Sequence, residues 1–440
     1  MPIALQNLIA SSLSLIDNLM VGSLGEAELA AVGLSTQIFS IHWMMLFGFC
    51  SGCATFMAQF WGAKDVGNIR RVIGFALTVC LSGSLLFFAA ALFFPEKVLS
   101  IFTNIPEAIE MGKGYVRMGA PIFFCTSITV PFTTALRATQ QTSRPLIISS
   151  TAFITNTVLN YILIFGAFGA PKMGIVGAAL ATFLARLLET GLVLFTVFGR
   201  RNILKGVPRE FFSYDRAFAK KIIGNALPTT INETMWGIAT AAYNAAYGRV
   251  GITAYAAIQA SHTIHNMFSM AFFSMGDAIL ILVGQQLGKG EMDYAYALTK
   301  RLYRIGIFIA GCGGVLLILL CPTIVSFFDF TPEGRIYTIR ILNIYGAFMW
   351  LELFDGISVT GCLRAGGDTR FSMITEVSTM WLIGVPLVFL GCLYWKLPVH
   401  VVVLIAQAEL IIKGMILLKR FLSRKWLKNV ITDIEAAPEV

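Results

Sequence analysis

Leu136-Arg137-Ala138-Thr139-Gln140-Gln141-Thr142 returns 227 residues later as Leu363-Arg364-Ala365-Gly366-Gly367-Asp368-Thr369. Each copy closes one long apolar run and opens another, and Arg and Thr keep the same internal spacing. Further matches share nearly the same offset. Gly22-Ser23-Leu24-Gly25 reappears as Gly248-Arg249-Val250-Gly251, and Ala30-Ala31 as Ala256-Ala257. Gln59 and Gly62 return as Gln285 and Gly288, and Gly119-Ala120 as Gly346-Ala347. The chain therefore reads as two copies of one unit of about 200 residues. Both copies run in the same direction. Each half should hold an even number of spans if the copies share a membrane orientation, as parallel repeats do.

Composition sets the class. Of 440 residues, 57% are hydrophobic and 13% charged, and the mean hydropathy is +0.76. A soluble chain carries about 25% charged residues, so this one reads as an integral membrane protein whose first partner is the lipid bilayer. The net charge of +9 would suggest nucleic acid in a soluble protein. Here the basic residues sit in short loops, where they orient spans. The CxxC spacing of Cys50-Ser51-Gly52-Cys53 lacks a second pair or a nearby His, so packed thiols are expected rather than zinc. Met1 to Leu24 has no basic region and no A-x-A site, and reads as a retained span, not a signal peptide.

A span needs about 20 apolar residues. The first half offers Ile3–Val21, Leu34–Phe60, Val72–Phe94, Tyr115–Leu136, Leu146–Phe168 and Ile175–Phe198. The second offers Ile222–Tyr247, Tyr255–Leu287, Ile305–Phe328, Ile336–Leu363, Phe371–Tyr394 and Val399–Phe421. The expected organisation is an all-α membrane protein of twelve transmembrane helices in two parallel six-helix repeats. Residues 1–199 form one lobe, 200–221 a basic cytoplasmic linker, 222–421 the second lobe and 422–440 a cytoplasmic tail. The first copy has no counterpart to the lead-in before Pro228, so its first span should be short on the cytoplasmic side. Of the 33 Lys and Arg residues, 23 fall in segments that are inside if both termini are cytoplasmic, and seven fall outside. Arg117, Arg186 and Lys413 lie in or near spans. That excess predicts cytoplasmic termini in a cell membrane.

These features resemble the multidrug and toxic compound extrusion (MATE) family over nearly the whole chain. The most specific pieces are Ile16-Asp17-Asn18-Leu19-Met20-Val21-Gly22, Gln59-Phe60-Trp61-Gly62-Ala63, the two Leu-Arg-Ala loops and Asn156-Thr157-Val158-Leu159-Asn160. Gly177-Ala178-Ala179-Leu180-Ala181-Thr182 and Leu282-Val283-Gly284-Gln285-Gln286-Leu287-Gly288 add to them. The resemblance implies two lobes around a central cavity. It also implies export of cationic, amphipathic compounds in exchange for Na⁺ or H⁺.

The residues support a mechanism of that kind. A charge in the bilayer costs about 2.5 kcal/mol or more, so each acid in a span is a functional candidate. Burial raises a carboxylate pKa and a bound cation lowers it, so ion and drug can compete for one group. Asp17 is the first candidate, with Asn18 beside it, and matches the family's first-span aspartate by resemblance. Asn156 and Asn160 share a helix face, and their carbonyl oxygens suit a hard cation. The family pattern often has Asp where Asn160 stands. Thr182 could add a hydroxyl. In the second half the candidates are Glu233, Glu352 and Asp355. By resemblance Asp355 matches the tenth-span aspartate, and Glu352 and Asp355 on one face should repel unless a proton or cation intervenes. Gln259 and His262 read as cavity lining. His265 stands three residues on, but no third ligand completes a metal site. Glu409 has Lys413 at i+4, a ready partner.

No Walker A run and no hydrolase constellation appears. The chain is therefore expected to be no enzyme, to use no ATP or cofactor, and to draw on an ion gradient. A monomer suffices, since both lobes lie in one chain. Two other classes stay open. One is a lipid-linked saccharide or metabolite flippase, which would favour a basic cavity. The other is a non-transporting scaffold, which has no need of buried acids.

Overall fold

Long apolar runs leave the backbone one way to satisfy its N–H and C=O groups inside hydrocarbon, the α-helix. The computed structural model describes residues 16–17, 20–103, 105–199, 202–328, 330–432 and 434, and among them the regular structure is helical throughout. In chain order the elements are α1 (Glu26–Gly62), α2 (Val66–Phe93), α3 (Pro95–Ser100), α4 (Pro106–Gly119), α5 (Ile122–Ala138), α6 (Ser143–Phe165), α7 (Gly174–Phe198) and the single turn α8 (Pro208–Phe211). There follow α9 (Arg216–Tyr247), α10 (Ile252–Gly288), α11 (Met292–Ser326), α12 (Pro332–Gly356), α13 (Thr369–Thr379), α14 (Val385–Phe389) and α15 (Val399–Leu422).

Eight of these helical segments are long and apolar enough to cross a membrane, and the bent pair α4–α5 makes nine. Helices α9 and α12 occupy two further predicted spans but are less apolar, carrying Glu233 and the Glu352–Asp355 pair. The predicted first span, Ile3–Val21, lies mostly outside the described residues. Outward faces carry Phe195, Phe308, Leu319 and Leu382, each at least 70% exposed, the reverse of a water-facing surface. The chain is a multi-pass membrane protein.

Proline sets the breaks. α4 and α5 meet at 49°, at Pro121, which has no N–H to continue the ladder. Pro386 likewise cannot donate to Leu382, and the backbone widens to π-helix over Met380–Gly384. A second π-helical stretch, Ile357–Leu363, follows α12 directly after Gly356.

Contacts divide the chain into two compact units, residues up to 57 with 64–222, and residues 58–63 with 223–434. In the first, His42 Nε2 pairs with Ser84 Oγ at 2.6 Å, and Ser84 in turn with Ser127. The His42 ring lies edge-on to Phe87 and Phe123. The basic segment after α7 is docked on this unit. Leu204, Phe211 and Phe218 are buried, Tyr214 pairs with Thr78 at 2.7 Å, and Glu210 meets Arg70 at 3.2 Å.

In the second unit, backbones cross closely where side chains are missing. A Cβ on Gly62 would collide with the backbone of Gln285, and one on Gly288 with the backbone of Gln59. These are the two copies of the repeated Gln/Gly pair, so the end of α1 and the end of α10 cross reciprocally. Gln59 also donates to the carbonyls of Ala365 (2.8 Å) and Lys428 (3.1 Å) and accepts from the Val430 N–H (2.8 Å). It thereby joins the second Leu-Arg-Ala loop to the segment after α15. That segment is packed. Trp426 is fully buried, stacks on Phe421 and donates its indole N–H to the Phe421 carbonyl at 3.2 Å. Arg420 and Lys428 both bind Asp368 of the loop, at 2.7 and 3.1 Å.

Truncating a buried aromatic of this size costs about 3–5 kcal/mol. Trp426→Ala is therefore expected to lower the thermal unfolding midpoint of the detergent-purified protein clearly. Tryptophan fluorescence or scanning calorimetry checks this, and an unchanged midpoint would show that the segment contributes nothing to stability.

Candidate functional site

Both units hold polar side chains inside their helices. In the first, Asp17 meets α6 and α7. The four-residue spacing that puts Asn156 and Asn160 on one face of α6 aims both at Asp17. Asn160 Nδ2 donates to Asp17 Oδ1 at 2.8 Å. Turned so that its nitrogen faces the carboxylate, the Asn156 amide donates to Asp17 Oδ2 at 2.9 Å and accepts from the Thr182 N–H at 3.2 Å. The opposite orientation sets like atoms against each other. The Thr182 hydroxyl donates to its own helix at Ala178, 2.9 Å. Asn160 is buried, and its carbonyl oxygen receives no hydrogen bond. Asp17, Asn156, Asn160 and Thr182 are thus brought together. Asn18 lies outside the described residues.

The first unit's basic residue in this region is committed elsewhere. Arg186, one turn past Thr182, donates to Glu189 at 2.7 Å, and Glu189 also accepts from Ser149 at 2.9 Å. Asp17 therefore keeps two neutral amide donors as its hydrogen-bond partners rather than a salt bridge. An acid held by amides, beside an unfilled carbonyl oxygen, can accept a proton or a hard cation.

The second unit distributes its acids differently. Glu352 and Asp355, three residues apart, do not share a partner. Glu352 pairs with His265 at 2.9 Å and lines a small cavity with Ser269, Met349, Gly356 and Thr360. Asp355 is 2% exposed, and the Lys413 ammonium lies 3.9 Å from its Oδ2. Lys413 also stands 3.4 Å from Glu409, which accepts from the Tyr243 hydroxyl at 2.9 Å. Glu233 is bound by Arg364 of the second Leu-Arg-Ala loop, and Asn232 donates to Glu376 at 2.6 Å. Gln259 donates to the Tyr255 hydroxyl at 2.6 Å, and His262 approaches the Tyr345 hydroxyl at 3.4 Å. Glu233, Asp355 and Glu352 therefore sit in separate pairings rather than around one shared ion. No cluster of metal-ligating side chains occurs among the described residues.

Sequence reasoning did not foresee the pairing of Arg364 with Glu233, of Arg186 with Glu189, or of Lys413 with Asp355. The signal for one of them was present. Arg186 and Lys413 are 227 residues apart, the offset of the Leu-Arg-Ala loops.

Comparison with known proteins identifies the family. The MatE family model matches residues 2–162 and 228–390, once in each half. The chain belongs to the MatE family. It is 24% identical to the probable multidrug resistance protein NorM of Thermotoga maritima over 439 residues, covering 99% of this chain and 93% of that protein. It is 27% identical to the multidrug resistance protein NorM of Burkholderia vietnamiensis, covering 88% of this chain and 84% of that protein. A crystal structure of MATE in the straight conformation superposes with a TM-score of 0.85 at 20% identity, covering 96% of this chain and 95% of that one. These family relatives are transporters, and the chain is no enzyme.

Removing one partner of a buried ion pair leaves the other charge unmet, at about 3–5 kcal/mol. Arg364 is 1% exposed and Glu233 15%. Arg364→Ala should destabilise the protein strongly, while adding Glu233→Gln should recover part of the loss. A double-mutant cycle of thermal midpoints checks this, and strictly additive losses would mean that the pair is not coupled.

Proposed function

We propose that the chain exports cationic, amphipathic compounds from the cell by Na⁺ or H⁺ antiport, with the Asp17 cluster as the coupling site. It would sit in the cell membrane as a monomer with both termini cytoplasmic. The observation that carries this is the Asp17 carboxylate held by the neutral amides of Asn156 and Asn160, beside an Asn160 carbonyl oxygen that no donor fills. That set of oxygens is short of positive charge. A proton or bare Na⁺ would satisfy it, and an organic cation that needs the same carboxylate would displace the ion. Mutual exclusion of ion and drug at one acid is enough to couple their movements.

Further support comes from the relatives described as multidrug resistance proteins, and from the excess of basic residues in alternate loops. Asn156, Asn160 and Thr182 would orient or ligate the ion. In the second lobe Glu233, Asp355 and Glu352, with Gln259 and His262, would set the electrostatics of substrate passage rather than bind a second free ion. No cofactor beyond the coupling ion is required.

Ethidium export from liposomes containing the purified protein tests this. Export should follow an imposed Na⁺ or pH gradient, and the effective gradient names the ion. Asp17→Asn should abolish gradient-driven export, at least tenfold in rate, while the protein still reconstitutes. Export that survives the substitution would move coupling away from the first lobe. Its absence in the wild-type protein under both gradients would sink the multidrug reading.

A further inference from the structure

Arg186 and Lys413 occupy the same position of the repeat, on the last helix of each half, and Thr182 and Glu409 form a second matched pair one turn earlier. The first half places an arginine there, bound to Glu189 at 2.7 Å. The second half places a lysine between two acids, 3.4 Å from Glu409 Oε1 and 3.9 Å from Asp355 Oδ2. The two acids are not held equally. Glu409 Oε2 already accepts from Tyr243, and Oε1 from the lysine. Asp355 is 98% removed from solvent, yet neither of its carboxylate oxygens receives a hydrogen bond. A separation of 3.9 Å is beyond hydrogen-bond length, so Lys413 serves Asp355 through charge alone. The next residue is Gly414, where a Cβ would come within 3.1 Å of Asp355 Oδ1. Glycine thus leaves space beside that oxygen.

We propose that Lys413 is a tethered cation occupying the Asp355 pocket, so that the second lobe takes up no inorganic cation while the lysine is in place. A buried carboxylate needs a counter-charge. With both acceptor oxygens open, Asp355 would suit a hard monovalent ion. The flexible four-carbon stem of lysine brings a compact ammonium to the same spot and can shift it between Asp355 and Glu409. Arginine at the matched position of the first half is paired instead with Glu189 on its own helix and meets Asp17 only through its charge, with no ion pair to that carboxylate among the described residues. The other charged groups acting on Asp355 are Glu376, Glu409 and Glu352. All are negative, so Lys413 is the basic group that meets it. The proposal deepens the antiport reading by leaving the exchangeable ion to the first lobe, and rests on it only for that assignment.

Thermal midpoints of the purified protein, titrated with NaCl against N-methylglucamine chloride at fixed pH and ionic strength, test it. In an Asp17→Asn background, which removes the first-lobe site, the midpoint should not respond to Na⁺. Adding Lys413→Gln should create a Na⁺-dependent rise of about 2–4 °C. Adding Asp355→Asn should remove that rise, and Lys413→Arg in place of Lys413→Gln should give none. Two results would overturn the proposal: no Na⁺ response in the Lys413→Gln protein, or a response in Asp17→Asn alone that Asp355→Asn removes. Should Lys413→Gln not fold, that last comparison still decides, since a flat Asp17→Asn titration is the expected result. The wild-type titration reports separately on the first lobe, and its failure would leave the Lys413 arms readable.

Discussion

A carboxylate carried into hydrocarbon must find a proton, a counter-charge or a set of donors, and the interiors of both lobes are arranged around where each acid finds one. Glu189 takes Arg186 and Ser149. Glu233 takes Arg364. Glu409 takes Tyr243 and Lys413. Each of these acids is bound by a group from the protein, and binding by a fixed partner removes it from competition for a mobile ion. Asp17 and Asp355 are held differently, as is Glu376, which accepts from the neutral Asn232 amide; of the first two, one is held by neutral amides, and the other is faced by a lysine that does not reach hydrogen-bond distance. Exchange chemistry needs an acid that is incompletely satisfied, and these two residues fit that condition.

The same constraint explains why the scaffold relies on glycine. Helices in a bilayer gain little by burying apolar surface against one another, since lipid is equally apolar, so close backbone approach and hydrogen bonding hold them together. Gly62 against Gln285 and Gly288 against Gln59 give such an approach twice. Gln59 then spends its amide on the loop that carries Arg364 and on the segment after α15. Arg364 in turn neutralises Glu233. A chain of contacts therefore runs from a helix crossing, through a side-chain amide, to the charge state of a buried acid.

Much of this was legible in the sequence. The repeated Leu-Arg-Ala loops and the Gln/Gly pair marked the duplication, and hydropathy marked the spans. The spacing of Asn156 and Asn160 predicted a shared face, and the structure turns that face toward Asp17. The pairings in the second lobe were less legible because they join residues far apart in sequence. Glu352 and Asp355 read as a repelling pair at short spacing, and Glu352 does act on Asp355; His265 and Lys413, which face them, come from other helices. The packing of residues 423–431 escaped for a similar reason. Three of the nine are basic, and the contacts that dock them, Trp426 against Phe421, Lys428 on Asp368 and the Gln59 amide, all reach residues outside the segment.

The two halves began as one sequence pattern, so their differences are informative. Where the first half has Ser149 and Thr182, the second has Glu376 and Glu409 at the same offset, and where the first has arginine the second has lysine. Each hydroxyl-to-carboxyl change adds buried charge to the second lobe. Glu233, Asp355, Glu376 and Glu409 there outnumber Arg364 and Lys413, so this lobe holds more acids than fixed basic partners. The first lobe sets Asp17 and Glu189 against Arg186, a smaller surplus, with Asp17 held by amides. A lobe with a single open acid can bind and release one ion cleanly. Duplication followed by divergence thus leaves one chain with two helical units of different internal charge.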